Sequence, residues 1–512
     1  MATIASASAF GVAAKRDTWR AWLPGIGLVI FCTILFFIGL GARDLTSSHE
    51  ARAAQNAQTI LDEGHWLVPR LFDRHLELQK PPLYYWLVAL IGWLQGGAVD
   101  AWAVRLPSAL SALGCALCLY LLGIRVGRPN AGLLAALILA TSLHFTWLAH
   151  VGRIDMPLTF AITVALGAFH LGNREPMLRG RWHVLGYTAL GLGLLLKGPI
   201  ALVLPTVVVA CMWLRARCNR EIPANGAAPS PPALLPRRGE GRKFSTLWWG
   251  IPLLFAIAAP WYVWANIQTN NQLWEVFFWY HNVERGLGGA EALKAYPWWF
   301  YVPRIGIDLL PWSLAFPFAV YRFVRHRDDD ATSGLLWFGG IAVFLSCMSF
   351  KRADYLLPAY PGMAIFLGVV LEHWWREAGS RRGPVIALAS LLLACGIGWQ
   401  VYLVGFAHAD EQPYQTMAQR IRAETNGPVI FFRAESHLLM HHLGPPVDTI
   451  LEWENLDWWT RRPRVIYFVM PEACVEELAE HLPSAKLHEV LRTRDFADGR
   501  RDRAMVVLRT QP

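Results

Sequence analysis

A chain of 512 residues that is 54% hydrophobic, only 17% charged and carries 25 Trp does not belong to the soluble globular class. Its net charge of +9 comes from Lys and Arg dispersed between apolar runs, not gathered on one soluble face, which argues against a nucleic-acid-binding role. The composition is that of a polytopic α-helical membrane protein.

Apolar runs suited to crossing about 30 Å of hydrocarbon lie near residues 23–41, 103–124, 131–149, 156–172, 183–196, 199–214, 247–266, 300–321, 334–350, 355–373 and 384–405. They predict roughly eleven spans. The first run is long for a cleavable signal and is read as retained. Loops dense in Lys and Arg alternate along the chain: Lys15 to Arg20, Arg125 and Arg128, Arg174 to Arg181, Arg215 to Lys243, Arg322 to Arg327, and Arg376 to Arg382. The positive-inside bias makes these cytoplasmic. Residues 1–22 are then a cytoplasmic N-terminus and 23–405 a multi-span domain with an outer loop at 42–102 and a cytoplasmic linker at 215–245. Residues 406–512 form a small outer α/β domain, predicted from helices near 412–424, 436–442 and 472–481 and strands near 428–432, 464–469, 486–492 and 504–509. Segment 81–98, short and rich in Trp and Tyr, reads as an interfacial or re-entrant helix rather than a crossing.

This topology puts Lys80, Arg153, Lys197, Arg285, Lys351 and Arg352 on the outer face, where positive charge at span ends is sparse. An anionic ligand is the simplest reason. In the outer loop, residues 47–64 read as an amphipathic helix opened by a Ser47/Glu50 capping box and stopped by Gly64. Glu50 shares a stripe with Ala54, Ala57 and Leu61, so it is both a cap and a candidate functional carboxylate. Lys80 precedes Pro81-Pro82, where helical N–H groups and the ammonium face an anion together; snorkelling to lipid headgroups is the alternative. Lys197 marks either a tight turn between spans or a phosphate site. Arg352 with Asp354, and Arg153 with Asp155, read first as ion pairs. Cys115 and Cys118 form C-x-x-C inside an apolar helix and are read as packing. His437 and His441, spaced i, i+4, either face solvent or hold a metal, with no third ligand evident.

Residues 44–86, Gly152-Arg153-Ile154-Asp155-Met156-Pro157, Leu196-Lys197-Gly198-Pro199, Pro260-Trp261, Phe277 to Arg285, Tyr301-Val302-Pro303, Leu310-Pro311-Trp312 and Lys351 to Pro358 occur in this order. In these segments the chain resembles the bacterial aminoarabinose transferase family, which is related to the protein O-mannosyltransferases. The resemblance implies a GT-C fold and transfer of a sugar from a polyprenyl phosphate carrier to a lipid A-like or protein acceptor, on the periplasmic face of the inner membrane. It also implies site residues: the family's acidic pair falls on His49 and Glu50, its Glu-Lys-Pro segment on Gln79 and Lys80, and its further site positions on Asp155, Lys197, Arg285, and Lys351 with Tyr355. A divalent metal is attributed to some relatives at the carboxylate that Gln79 replaces here.

Residue chemistry reaches the same reaction class. Cleaving a sugar–phosphate bond develops negative charge on the departing phosphate, which preorganised cations stabilise; Lys80, Arg285 and Lys351 are the candidates. An incoming acceptor needs a carboxylate within reach, for which Asp155 and Glu50 stand first and Asp44 behind them. A flippase of lipid-linked sugars would carry ionisable residues at mid-depth, whereas here they sit at outer ends. A catalytically inactive relative would keep the fold and lose carboxylates, as at His49 and Gln79.

Overall fold

The computed structural model describes residues 23–221, 246–284, 296–379, 382–405, 414–424, 427–483, 485–493 and 504–510. The expected N-terminal segment, most of the cytoplasmic linker, and Arg285 lie outside them. Among the described residues, five helices are long and apolar enough to cross a membrane: Ala101–Arg125, Asp155–Arg174, Ile200–Cys218, Leu247–Gln268 and Ala353–Glu377. Two bent helix pairs raise the number to seven, against the eleven runs expected. Part of the difference lies in Arg179–Lys197 and Asp329–Ser346, which are helical but have polar or charged first turns, and in the shorter apolar helices Leu23–Phe37 and Ala387–Leu403. Leu83–Leu94, with 12 residues, is about 18 Å long and too short to cross.

The expected spans 131–149 and 300–321 are not straight. Pro129–Ala140 and Leu143–Ala149 meet at 70°, and Trp298–Asp308 and Trp312–Arg325 at 103°. At the first break Thr141 Oγ1 and Ser142 Oγ donate back to the carbonyls of Leu137 and Ile138, both at 2.7 Å, in competition with the helical ladder. At the second, Pro311 has no N–H to give. The breaks satisfy each other: Leu143 N donates to Leu310 O at 2.9 Å, and Trp312 Nε1 to Thr141 Oγ1 at 2.8 Å.

The outer loop begins with the helix Ser48–Glu63, capped by Ser47 Oγ, which accepts from Glu50 N at 3.3 Å, and ended by Gly64 in the left-handed conformation. Glu50 does not complete the expected box. Its carboxylate takes Thr46 N at 2.9 Å instead, because it is turned inward. The small residues Ala51, Ala54 and Ala57 are fully buried, which lets neighbouring elements approach closely.

The outer tail forms one sheet in the order β2-β1-β3-β5-β4, from β1 Val429–Phe432, β2 Val447–Ile450, β3 Tyr467–Pro471, β4 Leu487–Thr493 and β5 Met505–Thr510. β1 pairs parallel with β2 and β3; β5 pairs antiparallel with β3 and β4. β2 and the helix Trp453–Thr460 were not expected: β2 is an edge strand with one buried residue and so lacks a readable alternation. The helix His437–Leu443 corrects the reading of a solvated histidine face. His437 is buried, its carbonyl accepts from Gln55 Nε2 at 2.8 Å, and His441 stacks on Phe72. This helix packs on the outer-loop helix, and residues from both join one apolar cluster that includes Ala54, Ala57, Leu439 and Met440.

Candidate active site

Two chain reversals and one proline pair bring the charges together. Lys197 ends its helix at Gly198, whose φ of +74° and whose lack of a Cβ, which would stand 2.4 Å from Phe277 Cζ, both require glycine. Asp155 opens the helix Asp155–Arg174, where the N-terminal dipole favours a carboxylate. Pro81-Pro82 holds Lys80 just ahead of Leu83–Leu94.

These three residues line one cavity of about 190 Å³ together with Gln79, Tyr355 and apolar side chains such as Leu158, Phe277 and Phe350. Asp155 Oδ1 accepts from Lys197 Nζ at 2.5 Å, and Arg153 Nε lies 3.4 Å from Oδ2. Lys197 Nζ also stands 4.2 Å over the Tyr355 ring, a cation–π contact. An adjoining small recess adds His49, Arg52, Glu77, Tyr84 and Arg153 around Lys80 and Asp155. Burial, and then the charges of Lys80, Arg153 and Arg352, push the His49 pKa far down, so its imidazole is neutral. With a neutral residue there, Lys80 and Lys197 line the cavity with the Asp155 carboxylate, while Arg52 pairs with Glu77 and Arg153 is shared between Asp155 and Asp354.

The other expected residues are placed differently. Glu50 is completely buried, and both its oxygens are taken: Arg105 Nε donates to Oε1 at 2.8 Å, Gly152 N to Oε1 at 2.9 Å, and Thr46 N to Oε2. Gly152 is required for this approach, since a Cβ there would stand 2.3 Å from Val104 Cγ1. Glu50 therefore anchors the outer helix beneath the site and does not line the cavity. Asp44 faces the tail, its Oδ2 2.8 Å from His442 Nε2. Lys351 departs from its expected role: its buried ammonium donates to the carbonyls of Met348 and, at 3.0 Å, Tyr296. Arg352 pairs with Asp354 as anticipated, with Nε 3.4 Å from Oδ2.

Sequence reasoning missed Arg105 and Arg52. Arg105 was the lone charge in an apolar span, a signal in itself. Arg52 donates from Nε and Nη2 to Glu77 Oε2, at 3.1 and 2.7 Å, and from Nη1 to Gln79 Oε1 at 3.1 Å. This decides the question of a divalent ion. Glu77, which also accepts from Gln79 N, is consumed by a guanidinium, and the neighbouring position is an amide. No group of three His, Cys, Asp or Glu is arranged to hold a metal among the described residues. The residues present do not fit the ion, and Arg52 supplies the fixed positive charge. Elemental analysis of the purified protein is expected to find no stoichiometric zinc, manganese or magnesium, and chelation is expected to leave the unfolding temperature unchanged. A stoichiometric ion lost on Gln79→Ala would overturn this.

Comparison with known proteins agrees with the fold. Residues 79–228 match the family model for dolichyl-phosphate-mannose-protein mannosyltransferase. The undecaprenyl phosphate-α-4-amino-4-deoxy-L-arabinose arabinosyl transferase 1 of Pseudomonas fluorescens is 28% identical over 69% of this chain and 59% of its own length. An uncharacterized protein of Aquifex aeolicus is 30% identical over 65% of this chain and 60% of its own. The alignments thus span about three-fifths of these relatives' lengths. The crystal structure of ArnT from Cupriavidus metallidurans bound to undecaprenyl phosphate superposes with a TM-score of 0.77 at 19% identity, covering 95% of this chain and 98% of that one. The archaeal oligosaccharyltransferase AglB from Archaeoglobus fulgidus is more distant, with a TM-score of 0.53 and 14% identity over 95% of this chain and 72% of its own. A polytopic helical bundle of GT-C fold, with a small sheet domain after its last apolar helix, is the class that this architecture defines. Within it, the chain is similar to the arabinosyl transferases over most of its membrane domain and to the protein mannosyltransferases over residues 79–228.

Proposed function

We propose that this protein is an inner-membrane glycosyltransferase that moves a sugar from a polyprenyl phosphate carrier to a lipid acceptor of the lipid A type, or to a protein, on the periplasmic face. The observation that carries the proposal is the convergence of Lys80, Lys197, Tyr355 and Asp155 on one largely apolar cavity. The donor's phosphate lies against Lys80 and Lys197. As the bond between the anomeric carbon and the phosphate oxygen breaks, the electron pair leaves with the carrier, and the two ammonium groups stabilise the growing charge. The acceptor's O–H or N–H attacks the anomeric carbon, and its proton passes to Asp155, which Lys197 and Arg153 hold in place. Lys197 is shared: contact with phosphate draws it from Asp155 Oδ1 and frees that oxygen as the base. Arg285 belongs to the proposed phosphate set by resemblance alone.

Release of polyprenyl phosphate from a panel of lipid-linked sugars tests the reading. The wild-type protein is expected to turn over at least one donor, Asp155→Asn to lose activity by at least about 100-fold, as removal of a positioned base does, and Ser48→Ala to retain it. Turnover of no donor, or equal turnover by Asp155→Asn, would count against the enzyme reading and leave lipid-linked sugar transport as the next to test.

A further inference from the structure

The recess beside the donor cavity has a volume of about 20 Å³ and meets the cavity at Lys80 and Asp155, which line both. About 10–15 Å³ holds one water molecule, so the recess has room for one small polar substituent and not for a sugar ring. A ring lying in the cavity, with its phosphate against Lys80 and Lys197, puts one such substituent there. We infer that this substituent is a hydroxyl and not an ammonium, so that the sugar transferred carries no basic amine. The inference rests on the transferase reading above and names the class of its donor.

The recess is assembled from two segments of the outer loop and the entry to a span. His49, Arg52 and Ala53 stand at i, i+3 and i+4 of the helix Ser48–Glu63, and so share the face that lines it. The chain then doubles back, Arg70 bridging to Leu76 and Glu77 N donating to Pro69 O at 2.9 Å, which brings Glu77, Gln79 and Lys80 against that face. Arg153 and Asp155 close the recess from the other side.

A hydroxyl and an ammonium are nearly the same size, so charge decides between them. Every carboxylate oxygen within reach already has a donor. Glu77 Oε1 accepts from Gln79 N and Oε2 from Arg52; Asp155 Oδ1 accepts from Lys197, and Arg153 lies against Oδ2. Arg153 goes on to pair with Asp354 at 2.7 Å. The cations Arg52, Lys80, Arg153 and Lys197 are thus set against the carboxylates of Glu77, Asp155 and Asp354. The single negative charge of a phosphodiester donor brings this group to neutrality. A sugar ammonium would carry it one charge past, in a largely apolar enclosure.

The hydrogen-bonding groups point the same way. Arg52 Nη1 can only donate, so the Gln79 atom 3.1 Å from it is the amide oxygen, and the remaining polar atom of this cavity-lining side chain is the donor Nε2. A hydroxyl accepts from such an amide; an ammonium has no lone pair with which to do so. His49, kept neutral by its surroundings, presents a ring nitrogen that accepts the hydroxyl's own proton.

Competition against a fluorescent polyprenyl phosphate, with the full-length protein in nanodiscs, tests the inference. The probes are polyprenyl phosphoryl xylose and the analogues in which each free ring hydroxyl is in turn replaced by an amine, compared at about pH 6, where Lys80 is charged. At least one amino analogue is expected to bind at least about tenfold more weakly than the parent, and none more tightly. Gln79→Glu puts a carboxylate where the amide nitrogen stands, and is expected to raise the affinity for that analogue and lower it for the parent. A gain of this kind cannot come from misfolding. Lys80→Ala is expected to weaken all the probes alike, because it acts on the phosphate they share. Equal binding of all the probes, tighter binding of any amino analogue, or a preference that Gln79→Glu does not shift would overturn the inference. If no probe competes, the donor site itself is lost and the inference with it. Binding without release of polyprenyl phosphate from any lipid-linked sugar would count against the transferase reading alone.

Discussion

Replacing Lys80 by alanine is expected to lower kcat/KM for the lipid-linked donor roughly 10- to 150-fold, the equivalent of about 1.5–3 kcal/mol for a hydrogen bond to a charged group. The pH dependence is more diagnostic. Burial pushes the Lys80 pKa down to about 7, with Arg52 and Lys197 acting in the same direction and Asp155 and Glu77 opposing. Below pH 7 the side chain is an ammonium in the empty site; above it, a neutral amine. An anionic donor binds the charged form, so affinity should fall as pH rises through 7, with the proton recovered on binding at a cost that grows with pH. Lys80→Arg stays charged throughout and should flatten the profile even if its absolute affinity is lower. Donor KM measured between about pH 6 and 9 for the two proteins checks this, and identical profiles would remove Lys80 from the phosphate site.

Arg105→Ala should be the most damaging substitution to stability. Arg105 and Glu50 have fully buried side chains, and Arg105 also donates to the carbonyls of Leu40, Arg43 and Asp44. Deleting one member of such a pair costs about 3–5 kcal/mol, because the other is left charged and unpaired. For Glu50, burial alone would raise the pKa, but the Arg105 charge and the bonds from Arg105, Gly152 N and Thr46 N outweigh it and hold the pKa below its ordinary value of 4.5. A depressed carboxylate pKa stabilises the fold above the unfolded value, and that contribution disappears as pH falls through the folded one. Wild-type protein should accordingly lose stability on acidification through and below about pH 4.5. Glu50→Gln should lower the unfolding midpoint yet retain more turnover than Asp155→Asn. The reverse order would restore Glu50 as the base.

Local features were readable before the structure was. The Ser47–Gly64 helix follows from a cap, a stripe and a terminating glycine, all within a few turns. Lys80 and Lys197 stood out because two prolines and a Lys-Gly pair carry conformational meaning on their own. What stayed hidden was set by long-range partners. Glu50 looks available until Arg105, 55 residues on, occupies it, and Lys351 looks free until the carbonyls of Tyr296 and Met348 close on its ammonium. The helix breaks were hidden for another reason: Thr141-Ser142 interrupts an apolar run too briefly to alter its hydropathy, although its hydroxyls redirect the backbone. Pro311 was the signal for the second break and passed unread within an expected span. Asp308 and His144 were not singled out at all, since they meet only because both helices bend.

The apolar cluster shared by the outer-loop helix and the tail makes the last hundred or so residues a poor candidate for an independent module. Cutting the chain after residue 405 would strip cover from Ala54, Ala57 and Phe72, and the severed piece would expose Leu439 and Met440. Gln55 and Asp73 would lose their bonds to the His437 carbonyl and Thr449. Recombination that exchanges tails between relatives therefore has to exchange the facing helix as well, so the two regions are expected to be inherited as one unit even though some 370 residues separate them along the chain.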